Sequence, residues 1–396
     1  MISERIRKQK DRISTLMDQS ALDVVVASLP QNIYYLSGYE SISRHLSSRV
    51  DVFYLYDRRN DRGTLIVPCA EAAAALEQTS DTKVLCYGTF HFNIPGSAAE
   101  YEPLREAIGE TARSSTGALL QAIRAAAIPN GRLGMDEKRI LPQIWLFLME
   151  QLPNMTLIPA SELFSRARMI KFEHEVHLLE RAAEIAELAL AETLKAIKPG
   201  LTELEMEQVY LDEVVRNGAR PFFHVITAGM RSPLVDTINT DNRITEGTMI
   251  RFDIGCDYRG YKSDMSRTAF LGRPSEKLAQ YYEAIRKGEE AALRLIKPGV
   301  APAAVFHAAV TEVRNGIPHY KRHHCGHGIG LEGYDPPSIA PGVDEPLSPG
   351  MVLCIETPYY ELGWGGIQVE DTVLVTQNGF LPLTKMDNGL IALDFS

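Results

Sequence analysis

The chain has no apolar run near the roughly 20 residues that a membrane-spanning helix needs, so no membrane-embedded role is expected. Its first residues, Met1-Ile2-Ser3-Glu4-Arg5, lack the apolar stretch of a secretory leader. Cysteine is scarce: Cys69, Cys86, Cys256, Cys325 and Cys354 form no C-x-x-C pair. An odd, dispersed set of thiols fits a reducing compartment, and a cytoplasmic location is expected. Cys325 and Cys354 are read as small buried apolar groups. Positive charge is short as well, and a net charge of −10 argues against nonspecific nucleic-acid binding. No low-complexity segment occurs. What is present is 396 residues with 45% hydrophobic content, enough for a large core and two domains.

The most informative residues are acids on strand-like runs in the last third. Thr248-Met249-Ile250-Arg251-Phe252-Asp253-Ile254-Gly255 is rich in β-branched and aromatic side chains and is followed by a polar tip, Asp257-Tyr258-Arg259-Gly260. Ser263-Asp264-Met265-Ser266-Arg267-Thr268-Ala269-Phe270-Leu271 then resumes strand character. Folding the chain at the Tyr258/Arg259 bond sets Asp253 opposite Asp264. A second copy follows. Gly350-Met351-Val352-Leu353-Cys354-Ile355-Glu356 leads to the tip Gly363-Trp364-Gly365-Gly366, and Ile367-Gln368-Val369-Glu370-Asp371-Thr372-Val373-Leu374-Val375 returns. Folding at Gly363 sets Glu356 opposite Glu370. Like charges facing each other across a strand pair repel. Two such pairs in matched contexts point to bound cations between them.

The matching is explained by an internal duplication. Ile197-Lys198-Pro199-Gly200 opens a helical stretch ending at Val215-Arg216-Asn217-Gly218, and Ile296-Lys297-Pro298-Gly299 opens another ending at Val313-Arg314-Asn315-Gly316. Each half reads as helix, loop, then a carboxylate hairpin, and a pseudo-two-fold would pool the four acids. Two copies are too few for a solenoid. His327, in the glycine-rich loop His323-His324-Cys325-Gly326-His327-Gly328-Ile329-Gly330, is the natural fifth ligand. The G-x-G-x-x-G match at 328–333 is set aside, because no helix starts before Pro336-Pro337.

These residues resemble the M24 metallopeptidase family of prolidase, aminopeptidase P and methionine aminopeptidase. The resemblance rests on the Asp253–Asp264 spacing, the Gly-His-Gly-Ile-Gly around His327 and the Glu356 and Glu370 strands. Asn32-Ile33-Tyr34-Tyr35-Leu36-Ser37-Gly38 also looks like a stretch of that family's smaller domain. The resemblance implies an α/β architecture: an N-terminal α/β domain over 1–165 and a catalytic pita-bread domain with a pseudo-two-fold repeat over 166–396. It implies two divalent metal ions ligated by Asp253, Asp264, His327, Glu356 and Glu370, with Asp264 and Glu370 bridging. A hydroxide between the ions would be the nucleophile and Glu356 the proton carrier. The hard donor set favours Mn, Co or Fe over a thiolate-style Zn site, with Mn preferred. A homodimer and a small-molecule or dipeptide-like substrate are expected.

Three positions depart from the family's Xaa-Pro peptidases. Asp236 and Tyr334 stand where those enzymes have histidines, and Gln368 where they have an arginine two residues before the last Glu. Tyr334 could donate to an oxyanion, and Asp236 would repel a substrate carboxylate. His224, in Pro221-Phe222-Phe223-His224-Val225, is a further candidate proton donor, and His323 and His324 are candidates for the surroundings of His327. The expected activity is therefore hydrolysis of an amide-type bond, in a substrate that need not contain proline. A metal-dependent lyase on the same scaffold and a catalytically silent binding protein are the alternatives. In the N-terminal part, an amphipathic helix over 1–20, strands at Leu22–Ala27, Val52–Tyr56 and Thr64–Val67, a helix at Ala70–Glu77 and a loop over Asn93–Glu102 are expected. A long helix follows Phe172.

Overall fold

The structure is a computed structural model that describes residues 2–94, 99–128 and 131–394. The chain divides into two compact units, Met1–Ala167 and Arg168–Ser396. The first is built on a six-stranded sheet of β1 (Val24–Ala27), β2 (Phe53–Asp57), β3 (Arg62–Pro68), β4 (Thr82–Tyr87), β5 (Arg132–Met135) and β6 (Thr156–Pro159), in the order β4-β3-β2-β1-β5-β6. All residues of β1 and β2 are buried, which is why β1 and the first four residues of β2 read as continuous runs rather than alternating ones. The amphipathic helix spans Ile2–Gln19. The segment at Asn32 forms the helix Pro30–Ser37, closed by Gly38 at φ +75°. The expected loop over Asn93–Glu102 lies partly outside the described residues; its end, Ala99–Tyr101, is a 3-10 turn leading into the helix Glu102–Gly109.

The second unit carries a ten-stranded sheet. Its strands are β7 (Arg220–Ala228), β8 (Met249–Tyr258), β9 (Tyr261–Lys262), β10 (Met265–Leu271), β11 (Gly326–Gly328), β12 (Asp335–Ser338), β13 (Val352–Glu356), β16 (Glu370–Val375), β17 (Phe380–Pro382) and β18 (Ile391–Leu393); β14 (Tyr359–Glu361) and β15 (Gly365–Ile367) form a separate ribbon. The main path runs β12-β11-β13-β16-β10-β8-β7. It is near-symmetric about the β16/β10 junction, with β13 and β11 answering β8 and β7. Each half has its own helix pair: Glu173–Ala196 with Glu203–Arg216, and Glu276–Leu293 with Pro302–Gly316. The first pair buries Ile185, Ala189, Met206 and Tyr210 in one core with Phe252, Ile254 and Cys256 of β8. The second buries Tyr282, Ile285, Val310 and Val313 with Leu353 and Ile355 of β13. The duplicated sequence thus becomes duplicated structure. The helices cover one face of each half, leaving the face with the acids for chemistry. Among the described residues no helix is long and apolar enough to cross a membrane.

Candidate metal centre

The two hairpins set the positions of the acids. In the second, Glu356 pairs directly with Glu370, and the ribbon β14–β15 pairs Glu361 with Gly365 around Gly363, which has φ +87°. The first hairpin differs from the expected fold point. Asp257 pairs with Lys262 and Tyr258 with Tyr261, so the turn is Arg259-Gly260, with φ +52° and +89°. Two successive positive φ values are the signature of a tight two-residue hairpin whose twist suits the strands. Asp253 is consequently opposite Ser266, not Asp264. Asp264 sits in the break between β9 and β10, where Gly255 makes room: a Cβ there would lie 1.9 Å from the Ser263 carbonyl oxygen. The slip is two residues, so the acids remain on one face; a slip of one would have separated them.

Ser266 is also paired with Glu370. Asp253, Ser266, Glu370 and Glu356 therefore form one row across β8, β10, β16 and β13. The Ser266 hydroxyl lies 3.0 Å from both Asp253 Oδ1 and Glu370 Oε2. His327 comes from β11, a three-residue strand where a loop was expected. Glycines flank it because the neighbouring backbones approach closely: a Cβ at Gly326 would be 2.1 Å from the Cys354 carbonyl oxygen. His327 Nδ1 is 3.0 Å from the Gly328 carbonyl, which takes its proton and leaves Nε2 with a lone pair. Nε2 points at the acids, 3.8 Å from Asp264 Oδ2 and 3.9 Å from Glu370 Oε1. Burial holds the imidazole pKa down to about 4, so it is neutral and able to ligate.

All five sequence-derived ligand candidates are buried and gathered here. Asp264 Oδ1 and Glu370 Oε1 are buried without any hydrogen-bond partner. Buried carboxylate oxygens are almost always satisfied, and burial with neighbouring negative charge pushes both carboxyls well above their usual range. Orphaned oxygens around a neutral imidazole nitrogen fit a cation, and ligand atoms of Asp264, His327, Glu370 and Cys354 all lie within 4.8 Å of one another. Cys354 is closer to the centre than its sequence reading as an apolar filler implied. Burial and the charges of Asp264 and Glu370 keep its thiol protonated.

Sequence reasoning also missed two cations. Arg251, fully buried, donates from Nη1 to Asp253 Oδ2 at 2.8 Å and to Gln368 Oε1 at 3.0 Å. Arg322 donates to Glu356 Oε2 at 3.2 Å, and His324 Nε2 lies 3.0 Å from Glu356 Oε1 without the alignment of a hydrogen bond. The usable signal for Arg251 was parity: two residues before Asp253 on a strand, it shares that residue's face.

The other candidates separate. Tyr334 stacks on His327 with ring centroids 3.9 Å apart while remaining 68% exposed, which places it at the mouth of the centre. Partial burial and the charges of Glu356, Glu370, Asp264 and Asp253 raise its pKa, keeping the hydroxyl a donor. Asp236 is exposed on a loop whose preceding carbonyls, Leu234 and Val235, accept from Arg251. His224 is not brought to the acids. It pairs with Ile254, the residue after Asp253, so its side chain lies on the opposite sheet face, where Nδ1 is 2.7 Å from Glu207 Oε1. The His323 ring lies tilted by 44° against His324, with centroids 4.2 Å apart.

A duplicated α/β unit with a buried carboxylate–histidine centre is the architecture of pita-bread metallohydrolases. The sequence pattern of Metallopeptidase family M24 matches residues 177–377, and that of the Creatinase/Prolidase N-terminal domain matches 9–170. The chain belongs to family M24 and is a metal-dependent hydrolase. It is 28% identical over 395 residues to the Xaa-Pro dipeptidase of Pyrococcus horikoshii, covering 99% of both chains. The crystal structure of the prolidase from Pyrococcus horikoshii OT3 superposes with TM-score 0.80 at 27% identity, covering 97% of this chain and 100% of that one. A Bacillus anthracis Xaa-Pro dipeptidase shares the fold with TM-score 0.82 at 23% identity, covering 98% and 100%.

The raised carboxyl pKa values give a pH prediction for the metal-free protein. A carboxyl whose folded pKa exceeds its unfolded value, about 4.3 for Glu, takes up protons on folding. Its contribution is complete below the unfolded value and is lost as pH rises through the folded one. Burial raises Glu356 to about 7, and Asp264 and Glu370 also move upward. Metal-stripped protein is therefore expected to melt at higher temperature at pH 5 than at pH 8 by calorimetry. Metal-loaded protein should show the reverse order, because protons compete with the ion.

Proposed function

We propose that this chain hydrolyses an amide bond in a small substrate, using a divalent metal centre built on Asp264, His327 and Glu370 and flanked by Asp253 and Glu356. The observation that carries this reading is the pair of orphaned buried oxygens, Asp264 Oδ1 and Glu370 Oε1, on the two carboxyls that face the lone pair of His327 Nε2 through Asp264 Oδ2 and Glu370 Oε1. The oxygen-rich donor set favours Mn among the candidate ions. When bound, the metal supplies Lewis acidity that generates a nucleophile from water near neutral pH and polarises the scissile carbonyl.

The residues supply the rest. Glu356, with a pKa raised to about 7 by burial, is suited to accept a proton and deliver it to the leaving nitrogen near neutral pH. The Tyr334 hydroxyl, over His327 at the open side, is suited to donate to the developing oxyanion. Tyr334→Phe is expected to lower kcat by about a hundredfold, the scale for losing one oxyanion donor, with metal content unchanged by elemental analysis.

Substrate recognition is read as different from that of the Xaa-Pro enzymes. Gln368 is uncharged, Asp236 adds an exposed negative charge, and all five donors of Arg251 are engaged within the protein. No free cation among these groups waits for a substrate carboxylate. A panel of Xaa-Pro dipeptides and non-prolyl small amides, assayed with Mn-loaded protein, tests this. The highest kcat/KM is expected for a non-prolyl amide; Xaa-Pro dipeptides as the best substrates would overturn that part.

A further inference from the structure

The four acids and the imidazole of the centre are not equivalent. On the His327 side, Asp264 and Glu370 each leave an oxygen unpartnered. Asp264 Oδ2 and Glu370 Oε1 lie 3.8 and 3.9 Å from His327 Nε2, separations that ligands each about 2.1 Å from a common ion can span. On the Asp253 side neither carboxylate oxygen is orphaned: Oδ2 accepts from Arg251, and Oδ1 lies 3.0 Å from the Ser266 hydroxyl, whose single proton it shares with Glu370 Oε2.

Arg251 cannot swing away. Its Nε donates to the Ser232 carbonyl at 2.9 Å, Nη1 to Asp253 and Gln368, and Nη2 to the Leu234 and Val235 carbonyls at 2.8 and 3.0 Å. That uses all five N–H donors of a guanidinium. The Tyr360 ring lies 5.4 Å from its carbon, and Tyr360 also donates to Gln368 Oε1 at 3.0 Å, fixing the amide that faces the guanidinium. Charge balance agrees. Four carboxylates meet two guanidiniums, the buried Arg251 on Asp253 and the half-buried Arg322 on Glu356, which leaves an excess of two negative charges, the charge of one divalent ion.

We propose that Arg251 is a built-in cation that takes the place of a second metal ion, so that this centre holds one divalent ion tightly, on Asp264, His327 and Glu370, and a second on the Asp253 side about ten- to a hundredfold more weakly. The hundredfold is the upper scale on which a neighbour of a ligand alters metal affinity. A second ion would have to share Asp253 with a fixed positive charge and lie beside it. The inference rests on the proposed metal centre and revises the two ions that the family resemblance implies. Arg251 acts here through Asp253 and is a positioning residue.

The test is a calorimetric titration of metal-stripped full-length protein with MnCl2, with electron paramagnetic resonance of the bound Mn. Wild type is expected to take up one ion tightly and to give the spectrum of isolated Mn(II). Two ions with affinities within tenfold and a spin-coupled spectrum would overturn the proposal, whereas no bound ion would overturn the metal-centre reading instead. Arg251→Met is expected to raise affinity for the second ion at least about tenfold and to produce the coupled spectrum. A folded Arg251→Met protein that still holds one ion would remove Arg251 from the account. Arg251→Lys, which keeps the charge, should remain at one ion; a second tight ion there would contradict a charge-based origin. Should Arg251→Met not fold, Asp253→Asn decides: it should leave the first ion's affinity within tenfold, and its loss would place Asp253 among that ion's ligands.

Discussion

Replacing Asp264 by Asn is expected to abolish hydrolysis, by more than about a thousandfold in kcat/KM, and to strip the tight ion while the fold persists. Asp264 lies at the centre by every geometric measure: buried, 3.8 Å from His327 Nε2, with one oxygen unpartnered. The amide keeps the shape but loses the negative charge that an ion needs, and a Lewis acid contributes several kcal/mol to such a reaction, which at 1.4 kcal/mol per decade reaches that factor. The direction of the stability change separates this account from simple damage. In metal-free protein the ionised Asp264 is repelled by Asp253 and Glu356 and penalised by burial. Metal-free Asp264→Asn should therefore melt at or above metal-free wild type at pH 8, while no longer responding to added Mn. A variant that unfolds, or one that keeps its metal response, would count against the assignment.

The second large effect is on removal of the metal itself. Wild type stripped with a chelator is expected to lose all activity and regain it on adding Mn. Its thermal transition should fall in parallel. Binding to the folded state alone stabilises by about 4 kcal/mol when the free ion is a thousandfold above Kd. For a unit of this size that is about 10 °C. The four raised carboxyls are the reason to expect the full shift, since the ion relieves their mutual repulsion as well as binding. Differential scanning calorimetry with and without chelator measures it. A chelated protein with unchanged transition and activity would show that the acids do not hold an ion.

Much of the centre could be found in the sequence because strand chemistry repeats with period two. The second hairpin was placed correctly, its glycine tip at 363 fixing the pairing of Glu356 with Glu370. The first was misplaced by two residues because Arg259-Gly260 is not the Asn-Gly type that announces a tight turn, yet Arg259 adopts φ +52° all the same. The face of each acid survived, since it depends on odd or even spacing and not on the turn. The same parity placed His224 on the wrong side, where Glu207 receives it. What composition could not show was which cations are buried. Parity puts Arg251 on the face of Asp253 but does not show that it is enclosed, and only the folded loop Ser232–Val235 supplies the carbonyls that enclose it. Cys354 reads as filler in the sequence because a thiol in an apolar strand carries no local sign that His327 is its cross-strand neighbour.

Elemental analysis of protein purified without added metal or chelator tests the central claim most directly. A divalent ion, at one per chain in wild type and absent from Asp264→Asn, is the predicted result. Active wild-type protein that contains no metal would contradict it.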